Sequence, residues 1–392
     1  MTQISKENKL HKIIIFIFIA VNFSYILSYA YHNMEFLILN FMTVFTLIFF
    51  YQKSFNYIGA LPLMRWIMLY AVINLIWIIL PNSYASPLNI SDFFVETMYL
   101  STLAVLLYFD DKNLTVARTA ILLVTTMSIF NHILELFIPT IFYAEDAVTK
   151  ILGRSSGFYG NSTGAGEAII LGMILSYGIV PKKLKILFLF FALLGVIPTF
   201  SRAAIAAWFI VVFILVMTKA IKKKEAITLG IIIFILVAIA LPIFITFLDL
   251  FLGEAAANIL GRIDFFSSKS SVSDGSSQSR FTVARAGLAY FSDNPFLGAG
   301  HSFTQYWEHP ISTHNIYLLH MAEFGLIGVF IYPLLIISII WKASGEAKKT
   351  SLAFAVFLLL IGFTSHNVLN GFHTLLAIAV MSAWAYKSRF PD

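Results

Sequence analysis

The sequence contains no cysteine among its 392 residues. Disulfide bonds, thiolate metal sites and cysteine nucleophiles are therefore excluded. Charged residues are also scarce, at 12% of the chain, whereas a soluble domain has about 25%. No internal repeat of about 20–50 residues is evident. These absences point away from a soluble protein and from a disulfide-stabilised one.

Apolar residues are correspondingly abundant: they form 59% of the chain, and the mean hydropathy is +0.86. This composition is typical of a polytopic membrane protein. The first apolar run follows "MTQISKENKLHK" without a small-residue cleavage site, so it is interpreted as a retained span. A net charge of +6 would suggest nucleic acid for a soluble protein. Here the placement of the charges is informative instead, and no nucleic-acid partner is expected.

A membrane-spanning helix needs about 20 mostly apolar residues. The chain is therefore predicted to be an all-α membrane protein with about 12 spans, at 13–31, 34–51, 63–80, 93–109, 117–138, 163–180, 184–199, 203–218, 226–248, 314–341, 350–366 and 369–386. Long connections fall at 139–162 and 249–313, and the second contains "SSKSSVSDGSSQSR", which is expected to be mobile. The predicted organisation is spans 1–9 in 1–248, a large loop with short helices in 249–313, and spans 10–12 with a short tail in 314–392.

Lysine and arginine predict the orientation, because they are enriched in cytoplasmic loops. With twelve spans both termini share one side, which collects 19 of the 26 Lys and Arg residues. Both termini are therefore predicted to be cytoplasmic and both long loops external. The other side holds the remaining seven: Lys150, Arg154, Arg202, Arg262, Lys269, Arg280 and Arg285.

Arginine predominates among these external cations, whereas lysine predominates inside. A guanidinium group binds two phosphate oxygens at once, whereas a lysine is a flexible point charge. External arginines that oppose the orientation bias therefore suggest a phosphate-bearing ligand. Pairing with external carboxylates or lipid headgroups is the alternative for each one.

Arg202 lies in "PTFSRAAIAAW", a tight external turn in which Ser201 is predicted to cap the next helix. Anchoring at the membrane interface is the alternative role for Arg202. Arg280 and Arg285 lie in "SRFTVARAGLAYFSDNPFLGAGHS", which predicts a short amphipathic helix ended by Asn294-Pro295. Because they are five residues apart, one is expected to point inward and the other to water.

Arg154 begins "RSSGFYGNSTGAGE", a Gly/Ser/Asn loop that leads into the sixth span. Such a loop can offer backbone N–H groups to an anion. It is not a P-loop, because no Gly-Lys-Ser/Thr follows.

His314 and Asn315 stand at the external end of the tenth span, beside Tyr317. Two interpretations are open for His314: a hydrogen-bonded residue at a helix start, with Asn315 or Ser312 as the cap, or a proton acceptor in a reaction. A second "SHN", at 365–367, falls on the same side and either lines the same cavity or reflects boundary composition.

Intramembrane carboxylates should face protein or water rather than lipid. Glu167 and Glu323 are the candidates for holding an arginine or orienting a histidine, whereas Glu135 and His132 are expected to satisfy each other. No external Asp-x-Asp pair and no His-Glu-x-x-His spacing is present, so no metal is expected.

The chain resembles the O-antigen ligase and polymerase superfamily of bacterial envelope glycosyltransferases. The resemblance covers about 150–335 and rests on a combination of motifs: "RSSGFYGNSTGAG" entering the sixth span, "SRA" between the seventh and eighth, "SR" ahead of "NP" in the large loop, and "HN-x-Y-L" with "E-x-G-L-I-G" at the tenth. The twelve-span layout and the large external loop before the third-last span also match.

The resemblance implies glycosyl transfer at the periplasmic face of the inner membrane, with no cofactor. The donor would be a glycan on undecaprenyl diphosphate, and the acceptor a sugar hydroxyl of lipid A-core or another lipid-linked repeat. By motif, Arg202 and Arg280 would bind the donor diphosphate, with Arg154 as a third cation, and His314 would orient or deprotonate the acceptor. Arg285 has no matching position and ranks below Arg280.

The expected activity is that of an O-antigen ligase, independent of metal and inverting at the anomeric carbon. The alternatives are an O-antigen polymerase, transfer to a protein hydroxyl and, in a different class, a lipid-linked-glycan transporter. Transporters commonly show inverted repeats with broken helices, whereas here the polar residues are concentrated in one external loop.

Overall fold

The computed structural model describes residues 2–26, 61–80, 83–84, 111–138, 141, 153–159, 161–251, 275–309 and 312–389, with isolated residues between 93 and 107. Within these ranges all regular structure is helical, which confirms the all-α prediction there. The chain divides into two compact units. The first comprises 1–34 and 115–272, and the second comprises 35–114 and 273–392.

The α-helices in chain order are α1 Thr2–Ser24, α2 Pro62–Ile79, α3 Asp111–Phe137, α4 Ser162–Ser176, α5 Lys185–Val196, α6 Arg202–Met217, α7 Lys223–Phe251, α8 Gly275–Asp293, α9 Phe303–Tyr306, α10 Ile316–Phe324, α11 Leu326–Ile340, α12 Gly345–Gly362 and α13 Phe372–Lys387. Short 3₁₀ helices cover Lys182–Leu184 and Ile197–Thr199. The first unit contains α1, α4–α7 and nearly all of α3; the second contains α2 and α8–α13.

Two of the described helices are long and apolar enough to cross a bilayer, Pro62–Ile79 and Asn113–Phe137. Shorter apolar helices are His11–Ser24, Ser162–Ser176, Arg202–Met217 and Leu326–Ile340. Together with the composition, these helices indicate a membrane protein.

Most predicted spans correspond to a helix whose ends differ by up to about six residues; the first, 13–31, overlaps a helix that already begins at Thr2. The exception is 314–341, which is two helices, α10 and α11, separated at Gly325. The segment "SSKSSVSDGSSQSR" was expected to be mobile, yet its last six residues form the start of α8. The predicted span 34–51, most of 93–109 and the loop residues 252–274 lie outside the described residues.

In the first unit, α3 packs closely against two other helices at glycine positions. A Cβ atom on Gly172 of α4 would lie 1.8 Å from Oγ1 of Thr125, and one on Gly195 of α5 would lie 2.7 Å from Cγ1 of Ile129. Helices that pack in a membrane approach through such small residues, because contact between them is driven by close packing.

In the second unit, two tryptophans of α2 tie this helix to the C-terminal part of the chain. The indole N–H of Trp66 donates to the carbonyl of Ile331 at 2.8 Å, and that of Trp77 donates to the carbonyl of Leu297 at 2.7 Å. A buried indole N–H needs such an acceptor. These bonds attach α2 to α11 and to the turn that follows α8.

Candidate functional site

Helix α8 packs on the second unit through a narrow apolar face. Val283 is buried, and with Ala286 and Tyr290 it packs against Phe303 and Trp307. Positions 283, 286 and 290 lie on one side of a helix. The rings of Tyr290 and Phe303 meet edge to face at 4.5 Å. The expected amphipathic helix is thus confirmed, and its apolar face fixes the helix that carries both loop arginines.

The break between α10 and α11 anchors the glycine-rich turn that follows α8. At this break the N–H of Leu326 donates to the carbonyl of Pro295, and the carbonyl of Ala322 accepts from the N–H of Ala299, both at 2.7 Å. Gly325 has a φ of +61°, and a Cβ atom there would lie 2.7 Å from the carbonyl oxygen of Pro295. Only glycine fits both requirements, so the helix must break here.

Glu323 holds the same loop and does not orient an arginine or a histidine as expected. Its carboxylate accepts from the N–H of Thr304 at 3.2 Å and from the hydroxyl of Thr304 at 2.7 Å. The turn also lies directly against the backbone of Glu323, because a Cβ atom on Gly298 would lie 2.4 Å from the carbonyl oxygen of Glu323. The buried carboxylate is satisfied by the loop, so its role is structural.

His301 is a buried structural histidine of this loop. Its ring nitrogens contact Oδ1 of Asn74 at 3.1 Å and the hydroxyl of Ser302 at 2.8 Å. Burial lowers the pKa of His301 to about 4. The imidazole is therefore neutral at pH 7 and its two nitrogens are already occupied.

His314 lies immediately outside α10, and Asn315 caps that helix. The Asn315 side chain accepts from the N–H groups of Tyr317 and Leu318, at 2.9 and 3.1 Å. The capping role expected for Asn315 or Ser312 is thus filled by Asn315, and the imidazole of His314 is not needed for it. His314 has a φ of +49°, a left-handed conformation that costs a non-glycine residue about 1 kcal/mol. Such a position, held by its surroundings, is a reason to test for function.

Arg280 and His314 lie close enough in the second unit to interact electrostatically. Burial lowers the pKa of His314 below its ordinary value of 6.5, and the cation of Arg280 lowers it further. Arg280 and Arg285 are both exposed, so the expectation that one points inward is wrong. They differ in direction, because the guanidinium of Arg285 lies over the ring of Phe281, at 5.3 Å.

Tyr317 links this site to α12. Its hydroxyl donates to the carbonyl of Leu359 at 3.2 Å, and its ring lies 4.6 Å from that of Phe363. Beyond the end of α12, the ring of His366 lies 5.3 Å from that of His314. The second Ser-His-Asn therefore adjoins the first His-Asn pair, which favours the interpretation that both line one site over that of boundary composition. The repeated His-Asn pair was the available signal.

In the first unit, the loop that follows Arg154 binds a carboxylate side chain of the protein itself. Oε2 of Glu135 accepts from the hydroxyl of Ser155 at 2.6 Å and from the N–H groups of Ser156 and Gly157 at 2.9 and 2.7 Å. The anion that this loop binds is thus a side chain of α3, and these two N–H groups are not available to a ligand. The expected pairing of Glu135 with His132 is wrong, since His132 contacts the carbonyl of Gly195.

Arg202 begins α6 beside the same loop. The hydroxyl of Ser201 accepts from the N–H of Ala204 at 3.4 Å, which confirms the predicted cap. The Arg154 side chain donates to the carbonyl of Thr199 at 3.1 Å, and the N–H of Ser155 donates to the preceding carbonyl at 2.9 Å. Arg154 and Arg202 are therefore on hydrogen-bonded neighbouring segments.

Glu167 is buried in α4. Within the part of the chain that the structure describes, it forms no hydrogen bond or ion pair. That Glu167 holds an arginine or orients a histidine stays a prediction.

The candidate residues thus divide between the units. Arg280, Arg285, His314, Asn315, Tyr317 and Glu323 belong to the second unit, and Arg154, Arg202 and Glu167 belong to the first. Among the described residues, no three His, Asp or Glu side chains are grouped so as to hold a metal ion.

Removal of the Glu135 carboxylate is expected to destabilise the first unit. Glu135→Ala leaves two buried N–H groups and a hydroxyl without their acceptor, which should lower the free energy of unfolding by about 3 kcal/mol. Glu135→Gln keeps one oxygen, so its effect should be about half as large. The test is thermal unfolding in detergent, with Glu308→Ala as the control, because the Glu308 side chain is 76% exposed. Equal melting temperatures for the alanine variants would contradict the anchoring role.

Comparison with known protein families gives a match for part of the chain. Residues 186–332 match the model of the O-antigen ligase family, so the chain carries an O-antigen ligase family domain over this range. The domain contains Arg202, Arg280 and His314, whereas Arg154 and His366 lie outside it. Members of the family are glycosyltransferases, ligases or polymerases, that act on lipid-linked glycans. No curated protein matches the chain.

Proposed function

We propose that the chain is an O-antigen ligase that transfers a glycan from undecaprenyl diphosphate to a sugar hydroxyl of lipid A-core. The reaction would occur at the periplasmic face of the inner membrane, with twelve spans and both termini in the cytoplasm. The observation that supports the proposal is that Arg280 and His314 both lie inside the matched family domain, where the charge of Arg280 lowers the pKa of His314.

The reaction needs a proton acceptor and charge neutralisation at the leaving group. His314 would accept the proton of the acceptor hydroxyl as its oxygen attacks the anomeric carbon. The bond from that carbon to the diphosphate oxygen would break at the same time, and Arg280 would neutralise the charge that develops on the diphosphate. A single displacement without a protein nucleophile inverts the anomeric centre.

The other cations are assigned by the motif resemblance. Arg202 is proposed to bind phosphate oxygens of the donor, with Arg154 as a further cation. The Arg154 side chain donates one N–H to the carbonyl of Thr199, two residues before Ser201, the cap of the helix that carries Arg202. Asn315 and Tyr317 would support the site by fixing the start of the helix that follows His314. Membrane lipids would surround the spans.

The decisive experiment gives the purified protein a lipid-linked glycan donor and two acceptors, lipid A-core and a second lipid-linked repeat. Transfer to lipid A-core with an inverted linkage, read by NMR of the product, supports the ligase. Chain extension only on the lipid-linked repeat would identify a polymerase. Movement of donor across liposomes without a new glycosidic bond would identify a transporter, and a retained configuration would contradict the single displacement.

The rate is expected to depend on pH through His314. A base must be neutral to accept a proton, so activity should fall as the pH drops through the pKa of His314, which lies below 6.5. Arg280 opposes protonation of His314, so Arg280→Gln should move this acidic limb to higher pH in the residual activity. Burial is the larger cause of the lowered pKa of His314, and it remains in this variant.

The control for this shift is Arg285→Gln, since the guanidinium of Arg285 is directed over Phe281. Its acidic limb should coincide with that of the wild type. An acidic limb that does not move in Arg280→Gln, or that moves to lower pH, would show that Arg280 does not act on the catalytic base.

A further inference from the structure

The loop that follows α12 brings a second imidazole to His314. The rings of His314 and His366 are 5.3 Å apart and nearly perpendicular, at 80°. His366 lies 52 residues after His314 in the sequence, so their contact depends entirely on how α12 packs. The matched family domain ends at residue 332, so the segment that carries His366 lies outside it.

The packing of α12 explains how this contact arises. Its last turn lies directly on the start of α10 because Gly362 has no side chain. A Cβ atom there would lie 2.7 Å from Cε1 of Tyr332 and 2.9 Å from Cε2 of Tyr317. The two tyrosine hydroxyls bond to consecutive carbonyls of α12, Tyr332 to Leu358 at 2.8 Å and Tyr317 to Leu359 at 3.2 Å. The helix end is therefore held in position, and His366 follows it by one turn of chain.

The chemistry of His366 differs from that of a packing residue. Its Nδ1 is buried, whereas its Nε2 is not among the buried polar atoms of the described residues and so can be reached by a ligand. Burial, and then His314, lower the pKa of His366 to about 4. At pH 7 the imidazole is neutral, so it suits a hydroxyl, which both donates and accepts, better than a phosphate.

We propose that His366 binds the acceptor, with its Nε2 hydrogen-bonded to a hydroxyl of the acceptor sugar. This bond holds the sugar so that the attacking hydroxyl meets His314. The arrangement divides the site into a cationic donor side at Arg280 and a neutral acceptor side at His366. The inference rests on the proposed glycosyl transfer and adds the acceptor-binding residue to it.

The test is steady-state kinetics of the full-length protein in nanodiscs. The donor is a lipid-linked glycan, and purified lipid A-core and a single lipid-linked repeat are assayed as acceptors. His366→Ala should raise the KM for the acceptor about tenfold, the equivalent of one hydrogen bond. The KM for the donor and the kcat at saturating acceptor should stay within about twofold of the wild type.

Two further variants separate hydrogen bonding from packing. His366→Gln places an amide group near the position of Nε2 and should restore most of the acceptor affinity. His366→Phe keeps the ring contact with His314 but has no nitrogen, so its KM should match that of the alanine variant. Asn367→Ala is the control, because this exposed neighbour should behave as the wild type.

Several results would overturn the inference. A normal acceptor KM in His366→Ala, or in His366→Phe, would show that the nitrogen binds nothing. A parallel loss of melting temperature, donor affinity and kcat would show that His366 only supports the fold. These outcomes are distinct from failure of the proposed function, in which the wild-type protein itself forms no glycosidic bond with either acceptor, and the inference then fails with it.

Discussion

His314→Ala is expected to abolish glycosyl transfer while leaving donor binding within about twofold of the wild type. A positioned general base contributes about 10²- to 10⁴-fold to a rate, and His314 is the residue proposed for this role. The measurement is single-turnover transfer from a labelled lipid-linked donor, with donor affinity determined separately by equilibrium binding.

The controls for this variant address folding and residue type. His314→Gly also removes the imidazole but relieves the left-handed backbone at φ +49°, so it should be about 1 kcal/mol more stable than the alanine variant. Both should be equally inactive. His309→Ala removes a histidine that contacts Trp307 in the same loop, and it should transfer at the wild-type rate. Near wild-type transfer by His314→Ala would show that His314 has no catalytic role and merely precedes the Asn315 helix cap.

Arg280→Lys is expected to lower kcat/KM on the order of 100-fold, although the charge is conserved. A lysine cannot reproduce the two parallel N–H bonds of a guanidinium to phosphate oxygens, and loss of one preorganised donor typically costs a factor of this size. Because Arg280 is exposed, the melting temperature should not change. The assay is donor-dependent transfer at saturating acceptor.

Arg285→Lys is the matched control for this substitution. It lies on the same helix, five residues away and equally exposed, but its guanidinium is directed over Phe281. Its kcat/KM should remain within about threefold of the wild type. Similar losses in both variants would mean that the helix contributes general positive charge, and the specific role of Arg280 would then be wrong.

The errors of sequence interpretation share a cause. Glu135 and His132 are three residues apart on α3, and Glu323 lies near an expected cluster of cations, so both acids were given partners close in sequence or in predicted topology. In the structure their partners lie on other segments: Glu135 binds Ser155, Ser156 and Gly157 of a loop, and Glu323 binds Thr304 of α9. A buried carboxylate takes whichever N–H and O–H groups the fold brings within reach, and neighbouring sequence does not encode which these are.

The break in the predicted tenth span has a similar origin. The run 314–341 is apolar enough for one helix, and a single glycine costs only about 1 kcal/mol inside a helix. The break is decided by the turn that contacts it, since Leu326 donates to Pro295 and Ala299 donates to Ala322. These bonds take the place of the backbone hydrogen bonds that one continuous helix over 314–341 would form.

The sequence by itself determined the membrane class, the helical content of the described residues and several helix boundaries, such as the Ser201 cap and the end of α8 before Asn294-Pro295. These features depend on composition and on contacts within about four residues, which a linear pattern contains. Only the tertiary structure placed Arg280 near His314, filled the Arg154 loop with Glu135 and brought His366 against His314. Each of these contacts joins segments about 20 to 50 residues apart in the sequence, so it depends on packing that a local pattern does not contain. For His366 and His314, the close approach of α12 at Gly362 is part of that packing.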